Sequence, residues 1–84
     1  MEKLRIVEID SGRAGMKTMM IDGFSDAELK EFKRMENKDA GEKLLDELDR
    51  RNGNIGTCWH NGNGVYGIWF DNECAYVNIR DSCD

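Results

Sequence analysis

The apolar residues of this chain change their spacing along its length. Leu4-Arg5-Ile6-Val7-Glu8-Ile9 is short and rich in β-branched residues, and Met16 to Ile21 forms a second apolar run. Asp10-Ser11-Gly12-Arg13-Ala14-Gly15 between them has turn composition, so the two runs read as a β-hairpin. The spacing then becomes helical, with Leu29, Phe32 and Met35 three residues apart. Ser25 followed by Glu28 makes a capping box, and Phe24 with Leu29 makes a hydrophobic staple around it. Asn37-Lys38-Asp39 interrupts this stripe, with Asp39 expected to cap a second segment and Glu42 at its third position. Leu44, Leu45 and Leu48 are the apolar stripe of that segment. Arg50 and Arg51 suit a helix C-terminus, and Gly53 suits the left-handed residue beyond it. The pattern predicts two helical segments, or one long helix bent near Asn37 to Gly41.

The last third reads as three strands, Ile55 to His60, Val65 to Phe70 and Cys74 to Arg80. Asn61-Gly62-Asn63-Gly64 supplies a hairpin signal between the first two, and Asp71-Asn72-Glu73 separates the last two. The expected class is therefore α+β in the order ββαβββ. It has a mostly antiparallel sheet with one or two helical segments packed on one face. With turns of even length, Ile55, Thr57, Trp59, Tyr66, Ile68, Phe70, Ala75, Val77 and Ile79 share the face that meets the helices. Gly56, Cys58, His60, Val65, Gly67, Trp69, Cys74, Tyr76 and Asn78 share the other, and Trp69 lies opposite Tyr76. Unless the N-terminal segment covers that second face or its aromatics close a second small core, it presents two aromatic side chains of the kind that anchor interfaces.

Composition narrows the functional classes. The 84 residues are expected to form one domain, residues 1–84. No stretch approaches the ~20 apolar residues of a membrane span. The start Met1-Glu2-Lys3-Leu4-Arg5 lacks the apolar region of a signal peptide, so a cytoplasmic location is expected. Cys58, Cys74 and Cys83 are an odd set, which suits reduced thiols better than a disulfide framework. Seventeen acids against twelve bases give a net charge of −5. The excess is concentrated downstream. Residues 1–24 carry four of each sign, 25–54 carry nine acids and seven bases, and 55–84 carry four acids against Arg80 alone. A field of that sign repels a phosphate backbone and favours a basic protein partner.

Candidate chemistry is sparse. Cys58, His60, Cys74 and Cys83 have the residue types of a Cys₃His zinc set, but no Cys-x-x-Cys knuckle is present. On a meander, Cys58 and Cys74 stand two strands, roughly 10 Å, apart. A Cys58–His60 nucleophilic pair on one strand is roughly 6–7 Å long, too far for direct activation. No metal or cofactor is expected. The glycine-rich segments at 12–15 and 62–64 lack the Lys-Ser/Thr of a phosphate loop and read as turns. Asp39 with Lys43, Asp46 with Arg50 and Glu47 with Arg51 stand at i,i+4, the spacing of solvated helix pairs. Glu36, Asp39, Glu42 and Asp46 also make an acidic stripe, interleaved with Lys38 and Lys43.

No set of residues combines nucleophile, base and charge stabiliser, so a non-enzymatic role is expected. The reading is a small acidic protein-binding module, an inhibitor or modulator of a basic, nucleic-acid-handling protein. Contact residues would be Trp69, Tyr76 and His60 with the stripe Glu36, Asp39, Glu42 and Asp46. In size, acidity and absence of assembled chemistry the chain resembles the small inhibitors that phages and mobile elements deploy against host defences, such as anti-CRISPR proteins. That likeness is one of general character and carries over no residue roles. Two alternatives stand beside it. One is a metal or thiol site at Cys58, His60, Cys74 and Cys83. The other is a homo-oligomer that buries the Trp69 face against itself.

Overall fold

The computed structural model describes residues 2–10, 16–60 and 65–80, and the side chains of Met16, Cys58, His60 and Arg80 fall outside that description. Strands β1 (Arg5–Asp10) and β2 (Met16–Asp22) are followed by helices α1 (Asp26–Arg34) and α2 (Asn37–Leu48). A π-helical turn (Asp49–Gly53), helix α3 (Ile55–His60) and strands β3 (Val65–Phe70) and β4 (Cys74–Arg80) complete the order. The fold is α+β, with a four-stranded antiparallel sheet in the order β1-β2-β4-β3 and the helices on one face.

Local signals set most of these boundaries. Ser25 Oγ accepts from the Glu28 N–H, and the Glu28 carboxylate accepts from the Ser25 N–H, so the capping box is complete. Phe24 and Leu29 flank it and are both buried. α2 starts earlier than the sequence suggests. Glu36 is its N-cap without a side-chain bond, and Asp39 sits inside the first turn, where its charge suits the helix dipole. Gly53 takes the left-handed conformation expected of it, at φ 77°, and Asn54 follows at φ 66°.

Ile55–His60 is a helix, not the expected strand, so the order is ββ, helices, ββ. Six residues of mixed polarity fit either period, and here tertiary contacts decide. Gly56 lies so close to α2 that a Cβ would stand 2.0 Å from the Leu45 carbonyl oxygen. Asp49 caps the helix from the preceding turn, accepting the Thr57 N–H at 2.6 Å and the Thr57 hydroxyl at 2.7 Å. Trp59 reaches the core from this helix, buried at 5% exposure. Ile55, Gly56, Thr57, Cys58 and His60 therefore leave both sheet faces to which sequence parity assigned them. Residues 11–15 and 61–64, read as turns, lie outside the described residues.

The core lies between helices and sheet. Leu29, Phe32, Leu44, Leu45, Leu48 and Trp59 meet Ile21, Ile68, Ala75, Val77 and Ile79, all buried. Phe32 is edge-on to Phe24 at 5.1 Å and stacks on Phe70 at 5.0 Å, linking the cap, the helix and β3. The π-turn is fastened twice. Asn52 accepts the Leu4 N–H at 2.9 Å and donates to the Leu4 carbonyl at 2.8 Å, serving both backbone groups of a residue 48 positions away. Arg51 pairs with Glu28 at 2.6 Å and with Glu47 at 2.9 Å, and lies over the Phe24 ring. Arg50 also reaches Glu47. The Arg51 Nε and Glu47 Oε2 atoms are buried and poorly angled, so that contact is one of charge rather than a hydrogen bond. Burial alone would raise the Glu28 carboxyl. The Ser25 amide and Arg51 outweigh it and hold Glu28 below its ordinary value. Lys43 turns to Glu31 on α1 at 2.8 Å, not to Asp39, and so ties two helices together instead of decorating one.

Two substitutions test this packing. Leu48→Ala is expected to cost about 2–5 kcal/mol by denaturant unfolding, because the side chain is fully buried. Gly56→Ala is expected to cost at least about 3 kcal/mol despite alanine's better helix propensity, because the methyl meets backbone that cannot move aside. An unchanged unfolding midpoint for either would contradict the arrangement.

Candidate interaction face

The sheet face away from the helices is built by strand register. Val7 pairs with Met20, Met20 with Tyr76, and Tyr76 with Trp69, so one apolar row crosses β1, β2, β4 and β3 in order. Val7, Met20 and Tyr76 are half-buried by their neighbours, and Trp69 is 44% exposed. Polar residues flank the row. Arg5 and Asp22 form an ion pair at 3.2 Å on one side, and Thr18 donates to Asn78 Oδ1 at 2.7 Å on the other. Gly67 stands beside Asn78, where a Cβ would touch the Asn78 amide nitrogen at 3.4 Å.

Trp69 and Tyr76 stack with centroids 5.4 Å apart and planes 8° from parallel. The stack is held from the side. Tyr76 donates its hydroxyl to Asp71 Oδ2 at 2.7 Å, while Asp71 Oδ1 accepts the Glu73 and Cys74 amides at 2.7 and 2.6 Å. Asp71 therefore closes the β3–β4 turn and orients the aromatic pair with one carboxylate. Those amides, with the Tyr76 hydroxyl, hold the Asp71 carboxyl below its ordinary value. The same bond to Asp71 pushes the Tyr76 phenol up to about 12. Cys74 is buried at the Asp22 end of the face. Burial, then the nearby Asp22, Asp71 and Glu73 charges, push its thiol up, away from the reactive thiolate.

The expected site residues separate into two groups. Trp69 and Tyr76 meet on the open face as strand parity required. Glu36, Asp39, Glu42 and Asp46 are exposed on the helical layer, across the core from them. The backbone of His60 lies on α3, not on the face with Trp69, and its side chain is outside the described residues. Tyr66, expected on the core side, is 55% exposed. A bulge between Val65 and Gly67 turns Val65 to the core instead and leaves Tyr66 outside. Sequence reading missed Val7, Met20 and Asp71. The first two join the row only through pairings across the sheet. Asp71 was legible as a turn residue, but its bond to a side chain five positions on was not.

The Cys–His alternative falls outside the described residues, because it needs the side chains of Cys58 and His60 and residue Cys83. Among the described residues, no three His, Cys, Asp or Glu side chains converge as a metal site, and no helix is long and apolar enough to cross a membrane.

The Asp71–Tyr76 bond has a measurable signature. A phenol raised in the folded state adds stability that is fully present below its unfolded value, about 10. That stability is lost as pH rises through the folded value, about 12. Asp71 acts in the opposite sense, its contribution present above the unfolded value and lost as pH falls through the depressed one. In a spectrophotometric titration Asp71→Asn is expected to return the late-titrating tyrosine towards about 10. An unchanged titration would contradict the bond.

No family model matches the chain, and no curated protein or solved structure matches it either.

Proposed function

We propose that the protein is a non-enzymatic binding module that captures a basic protein through the open sheet face, as an inhibitor or modulator of that partner. The observation that carries this reading is the exposed Trp69–Tyr76 stack, held by the Asp71 carboxylate. An aromatic pair already ordered in the free protein loses little rotamer entropy on binding, so its buried area converts to affinity with a small offset. Asp71 and Glu73 lie beside it. With the net charge of −5 they favour a basic contact surface.

Distance decides which acids steer association. The molecule is 21 to 34 Å across its principal axes, whereas charge effects fade over about 8 Å at physiological salt. Acids on the helical layer therefore contribute less to encounter with the open face than Glu73 at its rim.

The test begins by capturing partners from the native cell with the wild-type protein and with Trp69→Ala, and proceeds to kinetics with the isolated partner. Trp69→Ala is expected to weaken binding by more than about 1 kcal/mol, mainly through faster dissociation. Glu73→Lys is expected to slow association more than Asp39→Lys does, and the difference should shrink as salt rises. Association that ignores salt, together with a harmless Trp69→Ala, would contradict both halves of the proposal.

A further inference from the structure

The two edges of the sheet are treated differently. β1 carries Arg5, Glu8 and Asp10 and a bulge between Glu8 and Asp10, devices that discourage pairing with another chain. β3 is Val-Tyr-Gly-Ile-Trp-Phe, with no charge, and its one bulge lies at the start. Asp71 donates its N–H to the Cys74 carbonyl at 3.1 Å, which makes those two a hydrogen-bonded pair. Antiparallel alternation then turns the Trp69 backbone groups towards β4 and those of Ile68 and Phe70 outward. Among the described residues, no backbone bond from another element engages Ile68 or Phe70.

A groove of about 350 Å³ runs beside this edge, between α2 and β3, with Lys38, Gly41, Glu42, Leu45, Val65 and Ile68 in its walls. Gly41 is the informative residue. A glycine inside a helix is unfavourable relative to alanine. The cost is explained at Gly56, where the backbones touch. At Gly41 a Cβ would meet nothing within 4 Å, so helix packing gives no reason for it. The missing side chain instead deepens the groove beside a strand edge that has no partner strand among the described residues.

We propose that this edge accepts an extended segment of a basic partner protein as a fifth strand on β3. Its backbone would pair with the outward groups of Ile68 and Phe70. An apolar side chain would seat over Gly41 against Leu45, and a basic one would meet Glu42. Backbone pairing supplies affinity in this mode, and the pockets for alternate side chains supply specificity. A second copy of this chain is a poor occupant. Pairing β3 with itself joins two chains that each carry a net charge of −5, a repulsion that a basic segment does not meet. The proposal extends the binding-module reading to a second surface, and it stands or fails separately from the Trp69 face.

The experiment is an NMR titration of the isotopically labelled full chain with capped synthetic peptides. The first alternates lysine and valine, the second alternates lysine and glycine at equal charge, and the third alternates glutamate and valine. The lysine–valine peptide is expected to shift the Gly67–Phe70 amides and to slow exchange of the Ile68 and Phe70 amide hydrogens by about tenfold. The other two should not. At Gly41→Met the first side-chain atom meets nothing within 4 Å, so the variant should fold with an unfolding midpoint at or above the native one while weakening this peptide by about tenfold, and N-methylation of alternate peptide residues should weaken it likewise without touching the protein. Trp69→Ala should leave the peptide's affinity unchanged. An equal response to the lysine–glycine peptide would reduce the effect to charge attraction and overturn the proposal. So would shifts confined to the Trp69–Tyr76 face. Self-association through β3, seen as a doubled mass that Gly41→Met abolishes, would name a second copy as the occupant and also overturn it.

Discussion

Leu29, Phe32, Leu44, Leu48 and Trp59 bury their side chains against Ile21, Ile68, Ala75, Val77 and Ile79, and the rest of the molecule is arranged around that contact. A four-stranded sheet has two faces, and the helices lie on one of them. Trp59 joins this core from α3, which lies so close to α2 that only a glycine fits at position 56. The π-turn redirects the chain between two packed helices, and the side chains of Asn52 and Arg51 tie it to Leu4 and Glu28.

Among the described residues nothing packs over the other face, and there apolar side chains meet solvent. Proteins commonly expose isolated apolar residues, and these need no explanation. Here the exposed residue belongs to a row of four, in register across every strand, and its aromatic end is ordered by a turn carboxylate. Asp71 serves a structural role in closing the β3–β4 turn and a presentational one in holding Tyr76, so the fold and the candidate anchor depend on the same atoms. The helical acids occupy the opposite layer. The stripe of helical acids and the aromatic surface are therefore two features of this protein rather than one composite site, and the acids beside the aromatic pair are Asp71 and Glu73.

Much of this was legible in the sequence, and most of the failures share a cause. Ser25, Glu28, Leu29 and Phe32 announce α1 because a capping box and helical spacing are local signals. Gly53 announces the end of the helical run for the same reason. The pairing of Trp69 with Tyr76 followed from taking the turn as even in length, and four residues, 71–74, lie between the paired Phe70 and Ala75. Ile55–His60 was misread because its alternation fits a strand, while its true partners, Leu45 and Asp49, act through tertiary packing and a remote cap. Tyr66 was misplaced by a bulge beside Gly67, where an isolated glycine in a strand pattern is itself a bulge signal. Val7 and Met20 were missed because their places depend on β2 lying between β1 and β4, a pairing that spans most of the chain.

The central claim is that the Trp69 side of the sheet is open in the free protein while Trp59 is enclosed. Acrylamide quenching of the Trp59→Phe variant, in which Trp69 is the only tryptophan, tests it directly. The account predicts efficient quenching of Trp69, unchanged from low to high protein concentration, and weak quenching of Trp59 in the reciprocal Trp69→Phe variant. A shielded Trp69 at every concentration would mean that the chain itself covers this face, and would contradict the claim.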